Sequence, residues 1–219
     1  MKIRPDLSRP RAFWILGDHE TIDGYVDLDD PEHLDLEYTR VIANVLESLD
    51  FWNIVHVGGG GLMLPRYLHS KRPEVSQAVF EPDMDMIEFI GKTLKTLEVF
   101  NIVNATGEEG FEELPDNFTD LTIVDAFQGG VVPQTLLSNG FFDDLYRVSK
   151  TVLFNTIQSA PIEIPVPKYE YRLMLVPQEV LSNKERGNVM FLWSKDPLPA
   201  VDIRNNVPYP YRLIEIKIW

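Results

Sequence analysis

Residues Ile54-Val55-His56-Val57 run directly into four glycines, Gly58 to Gly61, and 20 residues past the last of them Glu81 closes a second apolar run, Gln77-Ala78-Val79-Phe80. A short continuous apolar run bounded by turn residues reads as a buried strand. The glycines let the backbone turn tightly and approach a ligand closely, and Leu62 to Ser70 reads as a helix whose N-terminus faces that turn. A carboxylate ending the next strand then stands where ribose hydroxyls are met. Met63 occupies the place of the third glycine of the dinucleotide fingerprint, so a pyrophosphate-binding turn is not supported. A strand-to-helix turn of this kind can also bind nothing. The acid at the expected distance favours a nucleoside site.

From Ile54 onward strand and helix patterns alternate, which favours a parallel sheet with crossover helices. The predicted units are strand 54–57, helix 62–70, strand 77–80, helix 83–96, strand 101–104, strand 121–124, a helix from about Gln134 to Arg147, and strand Thr151 to Asn155. That makes five parallel strands with a switch point beside the first. A further crossover helix is expected after Asn155, yet Pro161, Pro165 and Pro167 break the segment. Two β-rich runs follow, Tyr171 to Val176 and Val189 to Trp193, read as an antiparallel pair on the sheet edge, and the tail from Val207 to Trp219 offers one more strand. Ahead of the alternation, Ala12 to Leu16 and Tyr25 to Leu28 read as a small β-hairpin region. Leu34, Tyr38, Val41, Ile42, Val45, Leu46 and Leu49 repeat at helical spacing, giving a helix from Asp35 to Leu49. The expected division is a β-hairpin region with its linking helix over residues 1–50 and a nucleoside-binding domain over 51–219.

A chain of 219 residues with 44% apolar content can bury a sizeable core. It contains no cysteine, which removes disulfides, thiolate nucleophiles and cysteine-bound metals together. His19, His33, His56 and His69 are too scattered for a metal site, and no metal is expected; His56, inside a strand, reads as a satisfied core residue. The Trp residues at 14, 52, 193 and 219 read as core or interface anchors. No apolar stretch is long enough for a signal peptide or a membrane span, so the expected location is cytoplasmic. The formal charge of -14 argues against nucleic acid and anionic membranes as partners. Nineteen of the 34 acids fall in two stretches free of Lys and Arg, nine from Asp18 to Glu37 and ten from Thr96 to Tyr146. Such runs are either solvated faces or a field that concentrates a cation at a cleft.

Several stretches, each at the right distance from the next, carry a resemblance: IVHVGGGGLMLPRYL, VFEPDMDMIEFI, LTIVDAFQGGVVPQTLLSNGFFDDLYRV, RGNVMFLWSKDPL and the N-terminal GYVDLDDPEHLDLEYTRVI. Together they resemble the spermidine synthase family, especially its bacterial spermidine-synthase-like branch, over roughly residues 12 to 200. The resemblance implies an α/β fold, Rossmann-like and of the S-adenosylmethionine-dependent methyltransferase type, with a small N-terminal β region. It implies an adenosyl sulfonium co-substrate, decarboxylated S-adenosylmethionine or S-adenosylmethionine itself. An aminopropyl group would pass from it to a polyamine such as putrescine, in a homodimer.

Residue by residue, the resemblance places Gly58, Gly59 and Gly60 under the nucleoside, Glu81 on the ribose hydroxyls and Glu108 near the adenine amine. Asp125 falls at the reacting amine, and Tyr38 and Gln128 near the polyamine. Aminopropyl transfer is attack by a neutral amine on a carbon next to a sulfonium, so a carboxylate that orients the amine and takes its proton has a purpose; Asp125 is the candidate. Asp125 could instead cap a nearby loop or helix. The chain departs from the family pattern at three places: Gly61 and Gln128 stand where synthases carry aspartates, and Thr39 where a histidine follows the tyrosine. A methyltransferase and a non-catalytic nucleoside-binding protein are the alternatives these departures leave open.

Overall fold

The computed structural model describes residues 2–17, 20–94, 99–165, 167–203 and 210–217. Strands β1 (Lys2–Pro5), β2 (Ala12–Leu16) and β3 (Ile22–Asp27) form a small antiparallel sheet. Helix α1 (Glu37–Ser48) follows, its face of Val41, Ile42, Val45 and Leu46 fully buried, as the helical spacing of those residues requires. The alternation then runs β4 (Asn53–Val57), α2 (Met63–Lys71), β5 (Ser76–Phe80), α3 (Met84–Leu94), β6 (Asn101–Val103), α4 (Gly107–Glu113) and β7 (Thr119–Val124). It closes with a 3₁₀ turn (Gln134–Leu137), α5 (Asn139–Val148) and β8 (Ser149–Gln158). The chain finishes with β9 (Tyr171–Pro177), the one-turn helix α6 (Gln178–Leu181), β10 (Gly187–Ser194) and β11 (Tyr211–Glu215).

Eight strands form the main sheet in the order β11-β9-β10-β8-β7-β4-β5-β6. The five strands from β8 to β6 are parallel, with the order reversing beside β4, whereas β10, β9 and β11 pair antiparallel. Strand residues alternate between two buried faces, which is why these strands read as continuous apolar runs. Val55, Val57, Val124, Val152 and Phe154 meet α4 and α5 on one side; Ile54, Leu121, Ile123 and Leu153 meet α1 and α2 on the other.

No α-helix lies between β8 and β9 among the described residues, consistent with the prolines there. The face it would cover is closed by aromatic side chains instead. Tyr169 is buried, donates its hydroxyl to the Leu145 carbonyl at 2.7 Å and stacks 6.4 Å from the fully buried Trp193, which also packs against Phe142, Phe154 and Phe191.

Three expectations change. The helix expected over 134–147 is split, because the Ser138 hydroxyl accepts the Phe141 N–H and starts α5 afresh after the 3₁₀ turn. Helix α4 was not foreseen, although Thr106 and Glu109 form a reciprocal capping box at its start. Trp52 is 63% exposed and anchors nothing in the chain's own core. His19, Trp219 and the ends of the expected helix 83–96 and of the expected tail strand lie outside the described residues.

Candidate functional site

The parallel strands end together, and hydrogen bonds tie their ends. Gly58 N–H donates to the Phe80 carbonyl at 2.9 Å, Asp125 N–H to the Val57 carbonyl at 3.0 Å, and Glu81 N–H to the Val103 carbonyl at 3.1 Å. This is the edge of an open α/β sheet, at the reversal of strand order, where ligands are bound in such folds. Gly58 has φ +93°, and a Cβ there would stand 2.5 Å from the Asp125 carbonyl oxygen, so no other residue fits. The turn closes at Leu62, itself left-handed at φ 55°, before α2 begins.

A cavity of about 1070 Å³ opens over these strand ends, at the top of the range of ~300–1,000 Å³ for small-molecule sites. Gly58, Gly59, Gly60, Glu81, Glu108, Tyr38, Asp125 and Gln128 all line it. The sequence-predicted site residues are thus brought together on one surface. Eight carboxylates line the cavity against one cation, Arg186, among the described residues, so the acidic stretches contribute to a negative cleft as well as to a solvated surface.

Glu81 is buried, and its two oxygens accept the N–H groups of Gly59 at 2.8 Å and Asp83 at 2.9 Å. Burial pushes its pKa up, and the main-chain donors of Asp83, Gly59 and Gly60 oppose that rise. A carboxylate has about four acceptor sites, so beside these main-chain donors it keeps room to accept from a ligand hydroxyl.

Asp125, one residue past the end of β7, is held differently. Tyr38 donates its hydroxyl to Oδ2 at 3.1 Å, Asn155 donates Nδ2 to Oδ1 at 2.9 Å, and Asn188 in turn donates to the Asn155 Oδ1 at 3.2 Å. Burial pushes the Asp125 pKa up while the bonds from Asn155 and Tyr38 pull it back. Burial, followed by the charge of Asp125, raises the Tyr38 phenol well above its ordinary value. The phenol therefore remains a proton donor to the carboxylate.

Glu108 sits on the first turn of α4, whose Gly107 lies so close to Val57 that an added Cβ would stand 2.5 Å from its Cγ1. Gln128 lies in a tight turn with Gly129 and Gly130, bridged to Val131 by two main-chain bonds. His56 also reaches the cavity wall, but its Nε2 meets Gln77 Oε1 at 3.1 Å and burial lowers its pKa to about 4. It is a neutral core residue at pH 7, as its place in a strand suggested.

Gly61 is not brought to the cavity. A Cβ there would stand 2.6 Å from Val26 Cγ2 and 2.9 Å from Ile15 Cδ1, so it would point into the small N-terminal sheet. Packing of that sheet, with Gly24 also against the Gly61 main chain, accounts for the glycine. Sequence reasoning missed Asn155 and Asn188. The one visible signal was a polar residue closing the apolar run of β8, the same pattern that marks Glu81 and Asp125.

Five parallel strands reversing beside β4, with crossover helices and a cavity at their C-terminal ends, make this an α/β protein of the Rossmann-like, S-adenosylmethionine-dependent methyltransferase type. A putative methyltransferase from Escherichia coli shares the fold with a TM-score of 0.52 at 13% identity, over 84% of this chain and 93% of that one. Within that class the chain is similar to polyamine aminopropyltransferases in sequence and to a spermidine synthase in fold. It is 29% identical over 136 residues, 58% of its length, to a polyamine aminopropyltransferase from Chromobacterium violaceum, of which the match covers 50%. It shares its fold with a probable spermidine synthase from Corynebacterium glutamicum with a TM-score of 0.85 at 17% identity, over 98% of this chain and 86% of that one. No family model matches the chain. The chain spans about half the length of the curated relatives it matches. Among the described residues, no helix is long and apolar enough to cross a membrane.

Proposed function

We propose that this protein transfers an aminopropyl group from decarboxylated S-adenosylmethionine to an aliphatic amine such as putrescine. The observation that carries the reading is Asp125: a carboxylate fixed at both oxygens by Asn155 and Tyr38, on the same cavity wall as the glycine turn and Glu81. In the reaction the amine nitrogen attacks the carbon beside the sulfonium. A new N–C bond forms as the C–S bond breaks, its electron pair goes to sulfur to give the neutral thioether methylthioadenosine, and the amine gives up a proton. Asp125 orients the attacking nitrogen and accepts that proton, and its partners keep it from rotating out of line. Glu81 and the turn Gly58 to Gly60 would hold the ribose, with Glu108 toward the base and Tyr38 and Gln128 toward the acceptor.

The charge of the cavity favours the decarboxylated donor over S-adenosylmethionine. The intact amino acid brings a carboxylate that needs a cationic partner, and among the described residues the wall offers eight acids and only Arg186. Gly61 does not bear on the choice between aminopropyl and methyl transfer, because its Cα faces Ile15 and Val26 rather than the cavity. Calorimetric titration with decarboxylated S-adenosylmethionine, S-adenosylmethionine and methylthioadenosine tests the reading. The expected result is micromolar binding of the first and third and at least tenfold weaker binding of the second. Binding of none of them refutes it, and preference for S-adenosylmethionine moves it to methyl transfer.

A further inference from the structure

One polar side chain on the cavity wall takes no part in the chemistry described so far. His56 lies within β4, buried between the apolar residues Val55 and Val57, and yet lines the cavity. Gln77 decides its tautomer. The Gln77 Nε2 donates to the Pro65 carbonyl at 3.1 Å, so the atom that meets His56 is Oε1, which only accepts. The imidazole proton is therefore on Nε2, in the 3.1 Å bond to Gln77. Burial lowers the pKa to about 4 and keeps the ring neutral, so Nδ1 carries a lone pair at pH 7. Among the described residues no donor reaches Nδ1. A buried acceptor without a donor is a cost that native structures rarely leave in place without reason.

The sheet register says what that lone pair is near. His56 stands opposite Ile123 on β7, and Asp125 follows two residues later. Ile54 and Ile123 face α1 and α2. Side chains two residues apart on a strand share a face, so His56 and Asp125 point to the same side, where Tyr38 of α1 donates to Asp125. With strands ~4.8 Å apart and a rise of ~3.3 Å per residue, their Cα atoms are about 8 Å apart. Two side chains converging from that separation hold one small group between them.

We propose that His56 Nδ1 accepts one N–H of the attacking amine while Asp125 accepts the other. The inference rests on the transfer reading and adds how the nucleophile is aimed. A neutral primary amine has two N–H bonds and one lone pair. Held at one acceptor it turns about that hydrogen bond; held at two, its lone pair has one direction, toward the carbon beside the sulfonium. His56 takes no proton in the step. The N–C bond forms as the C–S bond breaks, and the proton leaves to Asp125 as before.

Two substitutions separate this role from a structural one. In His56→Gln the longer side chain places its amide where Nε2 was, keeping a partner for Gln77 and emptying the place of Nδ1. In His56→Asn the shorter amide falls at the place of Nδ1 and gives up Gln77. Turnover of decarboxylated S-adenosylmethionine with putrescine is measured for both, with methylthioadenosine affinity in the same samples to show that each variant is folded. His56→Gln should lose at least tenfold in kcat with methylthioadenosine affinity within threefold of the wild type, and His56→Asn should turn over at least five times faster than His56→Gln. Wild-type kcat in His56→Gln, or a His56→Asn no faster than His56→Gln, overturns the proposal and leaves His56 a partner of Gln77 alone. A wild type that binds methylthioadenosine but forms no aminopropyl product defeats the transfer reading itself, and the role of His56 falls with it.

Discussion

The two ends of the cavity hold their carboxylates by different means. At the glycine end Glu81 takes main-chain N–H groups from Gly59 and Asp83; at the other end Asp125 takes side-chain donors from Asn155 and Tyr38. Main-chain donors come with the turn and no side-chain substitution removes them. Side-chain donors are adjustable one at a time, and each bears on how readily the carboxylate takes a proton. The contrast suits a binding role at one end and proton chemistry at the other.

The largest expected effect separates those roles. Asp125→Asn should lower transfer by about 10²- to 10⁴-fold, the usual contribution of a positioned base, while methylthioadenosine affinity stays within about threefold; a parallel loss of nucleoside binding would erase the distinction between the ends. Glu81→Gln is the converse. Removing a charge-assisted bond worth about 1.5–3 kcal/mol should weaken the nucleoside by roughly tenfold to a hundredfold in calorimetry, without moving the pH dependence of turnover.

At the glycine end, restoring the aspartate of the family pattern should harm rather than help. Gly61→Asp drives a side chain into Ile15 and Val26, an overpacking worth about 1–3 kcal/mol and hence a melting point lower by about 2–12 °C for a domain of this size. A variant of unchanged melting point with tighter donor binding would show that residue 61 does face the ligand.

The smallest effects concern protonation. Asn155→Leu removes a bond that lowers the Asp125 pKa, so the acid limb of the transfer rate, which follows the fraction of ionised Asp125, should move to higher pH; Tyr38→Phe should act in the same direction. Stability follows the opposite sign. Because burial raises the folded-state pKa of Asp125 above its unfolded value of 3.8, holding it ionised costs nothing below the unfolded value, and the cost is complete above the raised one. Asp125→Asn should therefore melt at the same temperature as the wild type or higher at pH 7, as at other sites where function strains the fold. A clearly lower melting point would mean that Asp125 is a structural cap.

Much of this was readable in the chain because local signals and the fold agree. The apolar runs at 54–57, 77–80 and 121–124 are buried strands that pair in parallel, as their pattern announces, and the acids that close two of them line the cavity. The capping box Thr106 to Glu109 is equally legible, but α4 has only seven residues and no long helical stripe to go with it. The break at Ser138 is a competition between a continuous apolar pattern and one hydroxyl cap, which periodicity alone does not decide. What no local pattern shows is contact across distant segments. Gly61 stands where the family pattern has an aspartate, and only the N-terminal sheet packed on it accounts for the glycine; Asn155 reaches Asp125 only because β8 lies beside β7.

The central claim is that one cavity carries a donor at its glycine end and an amine at Asp125. Its most direct test is release of methylthioadenosine from decarboxylated S-adenosylmethionine, followed by mass spectrometry with putrescine present and absent. The account predicts methylthioadenosine and an aminopropylated diamine in equal amounts from the wild type, only with putrescine, and neither from Asp125→Asn. Product from Asp125→Asn at the wild-type rate, or none from the wild type despite bound donor, would contradict it.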